Sequence, residues 1–374
     1  MLMKESYPCL LLLNDIHVSK DNIPAFTANW QEALDICREM DIREIALGGD
    51  LFFSRAAQTL DVLLAVHDAL LTAAEHGIHV TLAEGNHDKV NQESVRGYCH
   101  IFDRHPNVLV CDDYVSLPMG DDCRFVLHLM GYFPEDGSFC TRLERLKEEA
   151  LDPKRLNFLY IHEGINGALS QPSEKELPAR IFEAFDKVFV GHYHNRCIIP
   201  KTRIEYIGSS RQHNFGEDEE KGYTVIYTDG THEFIKNKVN TRYKVLDVSA
   251  ERTGLHLMDA LREIDADGRY KVKVRVHAPQ AAMKSVNKAA LLEAGAAKVE
   301  LIADDEEMLE ASSSSLFEKF DSRRIRETYE EFCREKQIED VAVGLGSVPV
   351  DLARHHPSGV HSIGSIRVCR PNVW

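Results

Sequence analysis

The chain has 374 residues, 44% of them hydrophobic and 28% charged, with 60 acidic against 44 basic side chains and a net charge of −16. That balance excludes a protein that holds nucleic acid by bulk positive charge, so such a partner would have to be met by local basic loops, bound metal or another subunit. No run approaches the roughly 18 apolar residues of a membrane helix, and nine scattered cysteines without CxxC spacing point to reduced thiols and a cytoplasmic location.

The continuous apolar run 9–13 predicts a buried strand. Phe26, Trp30, Ala33, Leu34, Cys37 and Met40 then recur at helical spacing. A second short strand is expected at 45–47, a helix through Leu60, Leu64 and Leu71 ending at Gly77, and a third strand at 78–82. This β-α-β-α-β order implies a parallel sheet with right-handed crossovers. In such sheets ligands gather at the carboxyl ends of strands.

Residues 105–135 read as irregular strands and turns, and 143–151 as a charged helix. Strands are expected at 157–161 and 187–190. Residues 204–207, 223–227 and 233–235 look like antiparallel strands closing a second sheet. Beyond a boundary near 240–242, strands at 243–248, 270–276 and 297–302 alternate with helices at 255–264 and 281–292. The acidic stretch 303–310 and the serine run 312–315 suit a linker, and 316–336 a charged amphipathic helix. The expected domains are therefore 1–242, a small α/β module at 243–310, and a linker with a helical segment at 311–374.

Polar motifs punctuate the ends of these apolar runs. They are Asn14-Asp15-Ile16-His17, Gly48-Gly49-Asp50, Gly85-Asn86-His87-Asp88, a lone His162, and Gly191-His192-Tyr193-His194. Together they offer two carboxylates, Asp15 and Asp50, the amide oxygen of Asn86, and the imidazoles of His17, His162, His192 and His194. That is a ligand set for two divalent ions sharing one carboxylate. Mixed oxygen and nitrogen donors suit Mn²⁺, Fe or Zn²⁺ better than Ca²⁺. Two ions roughly 3.5–4 Å apart clamp the attacking and leaving oxygens of an in-line displacement at phosphorus. Asp15-x-His17 and His192-x-His194 place both side chains on one face of an extended strand end. Each short motif alone is usually a surface turn, but five in order at strand ends make coincidence rare, below about 3%.

In this order the motifs resemble the calcineurin-like metallophosphoesterase superfamily. Gly49-Asp50-Leu51-Phe52 and the stretch Ile204-Glu205-Tyr206-Ile207-Gly208-Ser209, followed by Glu217 and Lys221-Gly222, are similar to SbcD-type DNA repair nucleases and phage recombination endonucleases. The resemblance implies a four-layer α/β/β/α metallophosphoesterase sandwich with a smaller α/β capping domain. It also implies two divalent metals, expected as Mn²⁺. Asp15, His17, Asp50 and His194 would hold one ion; Asp50, Asn86, His162 and His192 the other. His87 would be a catalytic residue, a general acid at the leaving oxygen, rather than a ligand.

Implied partners are DNA, an SbcC-type coiled-coil ATPase and a second copy in a homodimer; no membrane is expected. Implied activities are 3′→5′ exonuclease and single-strand endonuclease. One departure stands out: three residues after the shared aspartate, relatives carry an Asp or His that orients the catalytic histidine, and here that residue is Phe53. The alternatives are a phosphoesterase for a small phosphodiester or phosphoprotein, and a non-catalytic DNA-end-binding subunit. Arg55, Lys89, Arg96, Arg196 and Arg211 are candidate phosphate contacts, and Lys271, Lys273 and Arg275 share one strand face. The remaining histidines, such as His67, His76, His355 and His356, read as surface or core residues.

Overall fold

A computed structural model describes residues 6–120, 122–169, 175–252, 255–264 and 268–303. Strands β1 (Pro8–Leu13), β2 (Glu44–Gly48), β3 (His79–Ala83) and β4 (Val108–Val110) run parallel. Helices α1 (Ile23–Glu39) and α2 (Leu60–Glu75) make the crossovers between β1, β2 and β3. Leu11 and Leu13 point to these helices, packing with Phe26, Trp30 and Leu34, whereas Leu10 and Leu12 face the opposite way into the sandwich. Both faces of β1 are thus covered, which is why its sequence reads as unbroken hydrophobicity instead of alternation.

The second sheet has the order β5-β6-β7-β8-β10-β9. Its strands are β5 (Tyr114–Leu117), β6 (Phe125–Met130), β7 (Leu156–His162), β8 (Lys187–Gly191), β9 (Cys197–Ile198) and β10 (Ile204–Tyr206). Leu127, Leu129, Phe158 and Tyr160 meet Leu10, Leu12 and Ala46 between the sheets. On the outer side α3 (Phe139–Ala150) buries Phe139, Leu143 and Leu146 against Leu159 and Val188. Helices, sheet, sheet and helix form the four expected layers.

Three expectations need correction. The stretch 105–135 contains a fully buried inner strand, β6. Its apolar pattern is broken by His128, whose ring nitrogens are matched by Ser116 Oγ at 2.8 Å and Asn157 Oδ1 at 3.1 Å. Secondly, β11 (Gly222–Tyr227) and β12 (His232–Lys236) do not close the second sheet. They form a hairpin that pairs antiparallel with β1 and extends the first sheet, while β10 pairs parallel with β8. Thirdly, α3 starts four residues before the expected 143, at Phe139, a core residue.

The small module follows with β13 (Arg242–Ser249), α4 (Leu255–Ile264), β14 (Tyr270–Ala278), α5 (Lys288–Glu293) and β15 (Ala296–Ala303), its sheet ordered β13-β14-β15. Val272, Val274 and Val276 pack under Leu261 and Leu291. The intervening Lys271, Lys273 and Arg275 therefore take the other face. The helix expected over 281–292 is reduced to a single 3₁₀ turn and the short α5, because Val286 turns extended after the first and Asn287 caps the second by accepting from Ala290 N. The expected linker and helix at 311–336, and everything from 304 onward, lie outside the described residues.

Candidate metal centre

Every motif residue sits at or just past the carboxyl end of a strand. Asp15 and His17 follow β1, Asp50 follows β2, Asn86 and His87 follow β3, His162 ends β7, and His192 and His194 follow β8. The loops are tied by main chain: Asp15 N donates to Gly49 O at 3.0 Å and His17 N to Asp50 O at 3.0 Å. Asp15, His17, Asp50 and His192 all adopt positive φ, between 49° and 91°, a conformation costly to residues with a Cβ. Gly85 and Gly191 serve close approach instead of φ. A Cβ on Gly85 would fall 2.2 Å from Asp50 Oδ1, and one on Gly191 2.8 Å from His162 Nδ1.

The sequence-identified ligands converge. His17 Nε2 lies 3.5 Å from Asp50 Oδ2, 3.8 Å from Asp15 Oδ1 and 3.1 Å from His194 Nε2. On the other side of Asp50, His162 Nε2 is 3.2 Å from Oδ2. His192 Nδ1 faces Asn86 Oδ1 at 3.2 Å, and its ring lies 5.3 Å from that of His162. Asp50, 2% exposed, thus stands between the two groups. His87 also comes within reach of His17 and Asp50, so distance alone does not separate it from the ligands.

The donors fit cations. His162 Nδ1 is committed to Gly48 O at 3.0 Å, which can only accept, so Nδ1 carries the proton and the Nε2 lone pair faces a carboxylate. Both His162 Nε2 and Asp15 Oδ1 are buried without a hydrogen-bond partner. Burial disfavours charge on His162, but Asp50 and Asp15 outweigh it and push the imidazole up to about 9. Burial holds His17 and His192 down, each to about 4. The pocket demands positive charge, which a proton on His162 supplies poorly and divalent ions would supply at both groups.

A surrounding set of residues aims these ligands. Asn14 contacts Asp15 and is itself held by Tyr160 OH, whose single proton is shared between Asn14 Oδ1 at 2.7 Å and Leu13 O at 2.6 Å. Asp88 is fully buried and accepts from Gly85 N at 2.8 Å, Phe52 N at 2.8 Å and Leu51 N at 3.2 Å, tying the Asp50 and Asn86 loops together. His87 Nδ1 meets the main-chain oxygen of Phe53 at 2.6 Å, so a carbonyl fixes the orientation of this ring.

Two residues outside the expected ligand and catalytic set complete the surroundings. His213 Nε2 donates to Asp15 O at 2.8 Å, and its ring lies 5.2 Å from that of His17 and 5.0 Å from that of His194. Glu217 Oε1 contacts His194 Nδ1 at 2.8 Å. Their only signal in the sequence is a place within or beside the family-like stretch that begins at Ile204, which carries no sign of what they touch.

Three of the basic residues singled out by sequence, Lys89, Arg196 and Arg211, are structural, and Arg96 is tied up in an exposed ion pair. Lys89 is buried, donating to Tyr132 O with its ammonium 3.9 Å above the Phe133 ring. Arg211 is buried and donates to Ile16 O and His17 O; Arg196 pairs with Glu205, and Arg96 with Asp103. Arg55 is exposed on the rim of the site cavity of about 490 Å³, which Lys271 and Tyr243 of the small module also line. Gln212 holds that module in place: it donates to Tyr243 O and accepts from Tyr243 N, both at 2.8 Å.

Two six-stranded sheets in a four-layer sandwich thus carry this Asp/Asn/His cluster at their carboxyl edge. In sequence the chain is similar to SbcD- and Mre11-type nucleases. It is 23% identical over 208 residues to the SbcD component of nuclease SbcCD from Staphylococcus saprophyticus, covering 49% of this chain and 54% of that protein. It is 25% identical over 253 residues to the DNA double-strand break repair protein Mre11 of Methanopyrus kandleri, covering 61% and 55%. The SbcD component of the Staphylococcus epidermidis nuclease is 26% identical over 209 residues, covering 49% and 54%. The chain spans about half the length of the curated relatives it matches. No family model matches. Among solved structures, Pseudomonas putida nuclease MPE aligns with TM-score 0.25 and 17% identity over 52% of this chain and 65% of that one. A dimetal phosphatase from Danio rerio aligns with TM-score 0.38 and 11% identity over 59% and 93%.

Proposed function

We propose that this protein is the nuclease subunit of a DNA repair or recombination complex, hydrolysing DNA phosphodiesters with two divalent metal ions, Mn²⁺ by preference. The observation that carries the reading is buried Asp50, its Oδ2 set 3.2 Å from His162 Nε2 and 3.5 Å from His17 Nε2, as a shared ligand requires. Asp15, His17, Asp50 and His194 would hold one ion, and Asp50, Asn86, His162 and His192 the other. Bound ions would neutralise charge on the phosphodiester and its leaving oxygen.

The chain's own residues do the rest. His87 is anchored through Nδ1–H on Phe53 O, and in its imidazolium form it would pass the second proton, on Nε2, to the departing oxygen and be left as the neutral ring. Its main-chain N–H donates to Asp50 Oδ1 at 2.8 Å, so general acid and shared ligand are fixed relative to each other. Orientation by the Phe53 carbonyl supports a catalytic role for His87 although residue 53 has no polar side chain. The similarity to the SbcD nucleases supports an SbcC-type ATPase as partner, with 3′→5′ exonuclease and single-strand endonuclease activities. A homodimer belongs to the same reading, with the exposed Leu60 and Leu64 of α2 as a candidate contact. The domains would be a nuclease domain to residue 242, a cap to 310, and a partner-binding segment beyond. Among the described residues no helix is long and apolar enough to cross a membrane.

The test is to give purified protein Mn²⁺ and either linear DNA or bis-p-nitrophenyl phosphate, with and without the ATPase. Cleavage of DNA is expected. Hydrolysis of the small ester with DNA untouched in both conditions would instead establish a small-substrate phosphoesterase.

A further inference from the structure

Phe53 is an exposed aromatic at the mouth of an otherwise polar centre. Its neighbour Phe52 turns inward, fully buried with its ring stacked near that of Phe102, whereas Phe53 is 58% exposed. The backbone between them is fixed: Phe53 N donates to Val18 O at 3.1 Å, and Leu51 N and Phe52 N both donate to Asp88. The outward direction of Phe53 is thus imposed by the same hydrogen bonds that position Asp50. Its ring lies 6.0 Å from that of His17 and 6.2 Å from that of His87. It lines the same cavity as Arg55, Asn214, Tyr243 and Lys271. Orientation of His87 needs only the main-chain oxygen of residue 53, so the side chain at this position is free for another task.

From this geometry we infer that the Phe53 ring stacks on the nucleobase next to the scissile phosphate, holding an unpaired nucleotide at the metal centre. The inference rests on the nuclease reading and adds to it a preference for single-stranded or frayed ends. An apolar ring beside cations matches a nucleotide, whose base has an apolar face and whose phosphate is anionic. Stacking of this kind tolerates any base, so it selects for strandedness and not for sequence.

The test is binding of a short single-stranded oligonucleotide, and of the same strand with abasic sites, to the full-length protein in Ca²⁺. Fluorescence anisotropy reports binding, and gels confirm that the strand stays intact. Wild type should prefer the base-bearing strand by roughly 5- to 150-fold for each stacked base. Phe53→Ala and Phe53→Leu should bind both strands at the abasic level, while Phe53→Trp keeps the preference. Equal binding of both strands by wild type, or an undiminished preference in Phe53→Ala and Phe53→Leu, overturns the inference and leaves the nuclease reading standing. Failure of wild type to bind either strand also overturns the inference, while the nuclease reading stands or falls by the cleavage assay with Mn²⁺ and the ATPase.

Discussion

Glu217 Oε1 lies 2.8 Å from His194 Nδ1, so the carboxylate fixes which imidazole nitrogen faces the metal centre. With Nδ1 protonated toward Glu217, His194 Nε2 is left 3.7 Å from Asp15 Oδ1 and 3.1 Å from His17 Nε2. Carboxylates in this position orient a ligand and raise its basicity, and their loss typically weakens metal affinity about 10- to 100-fold. Glu217→Ala should lose affinity in that range by titration calorimetry with Mn²⁺, with the enzyme still folded by circular dichroism. Wild-type affinity in this variant would mean that His194 is not a ligand.

Metal should also be a stabiliser, because the unfolded chain scatters the ligands that the fold brings together. At a free ion concentration of 100 Kd, one site adds about 2.7 kcal/mol. For a folded region of this size that corresponds to a rise of roughly 4–5 °C in Tm for each site filled. Thermal scans with Mn²⁺ and with EDTA should differ by this much in wild type and coincide in Asp50→Asn. A persistent shift in Asp50→Asn would place the ions elsewhere.

What the sequence discloses is local. Runs such as 9–13 and 45–47 are apolar throughout because both faces of each strand are covered, and they end in Asp15 and Asp50 because those ends face the cleft. What it hides depends on contacts between distant segments. His128 makes β6 look irregular, although Asn157 and Ser116 satisfy it from neighbouring strands. Nothing local distinguishes the exposed Arg55 from the buried Arg211, which donates to the carbonyls of Ile16 and His17, nearly two hundred residues away. The pairing of β11 with β1 is equally remote, so local pattern alone puts that hairpin in the wrong sheet.

Glu205 links acid stability to the second sheet. Its carboxylate meets Lys187 Nζ at 2.6 Å, Arg196 Nη2 at 2.8 Å and His232 Nε2 at 2.9 Å while almost fully buried. Burial pushes the carboxyl up, but the hydrogen bonds from His232 and Lys187 prevail and bring it down to about 2, from an ordinary 4.5. A depressed carboxyl stabilises the fold above its unfolded pKa and loses that contribution as pH falls through the folded one. The window is therefore pH 4.5 down to about 2. The upper bound is about 3 kcal/mol. Glu205→Gln should be less stable than wild type at pH 7 by up to this amount in urea unfolding, with the gap narrowing below pH 4.5. A gap independent of pH would show that the loss comes from packing and not from charge.

On the proposed mechanism, His87 would separate chemistry from metal binding. Its half-buried side chain rests on Phe53 O, and the contact it gives the shared ligand, 2.8 Å to Asp50 Oδ1, comes from its main-chain N–H. Replacement by alanine removes the proton donor and keeps that N–H, so the ligand cluster should survive. Loss of a general acid typically costs about 10²- to 10⁴-fold in rate. His87→Ala should therefore lose DNA cleavage by that factor while elemental analysis finds wild-type metal content. The loss should be smallest for substrates whose leaving oxygen needs no protonation, such as bis-p-nitrophenyl phosphate, because a stable phenolate departs unaided. An equal loss on both substrates would assign His87 to phosphate binding, and an undiminished rate on DNA would remove it from the mechanism.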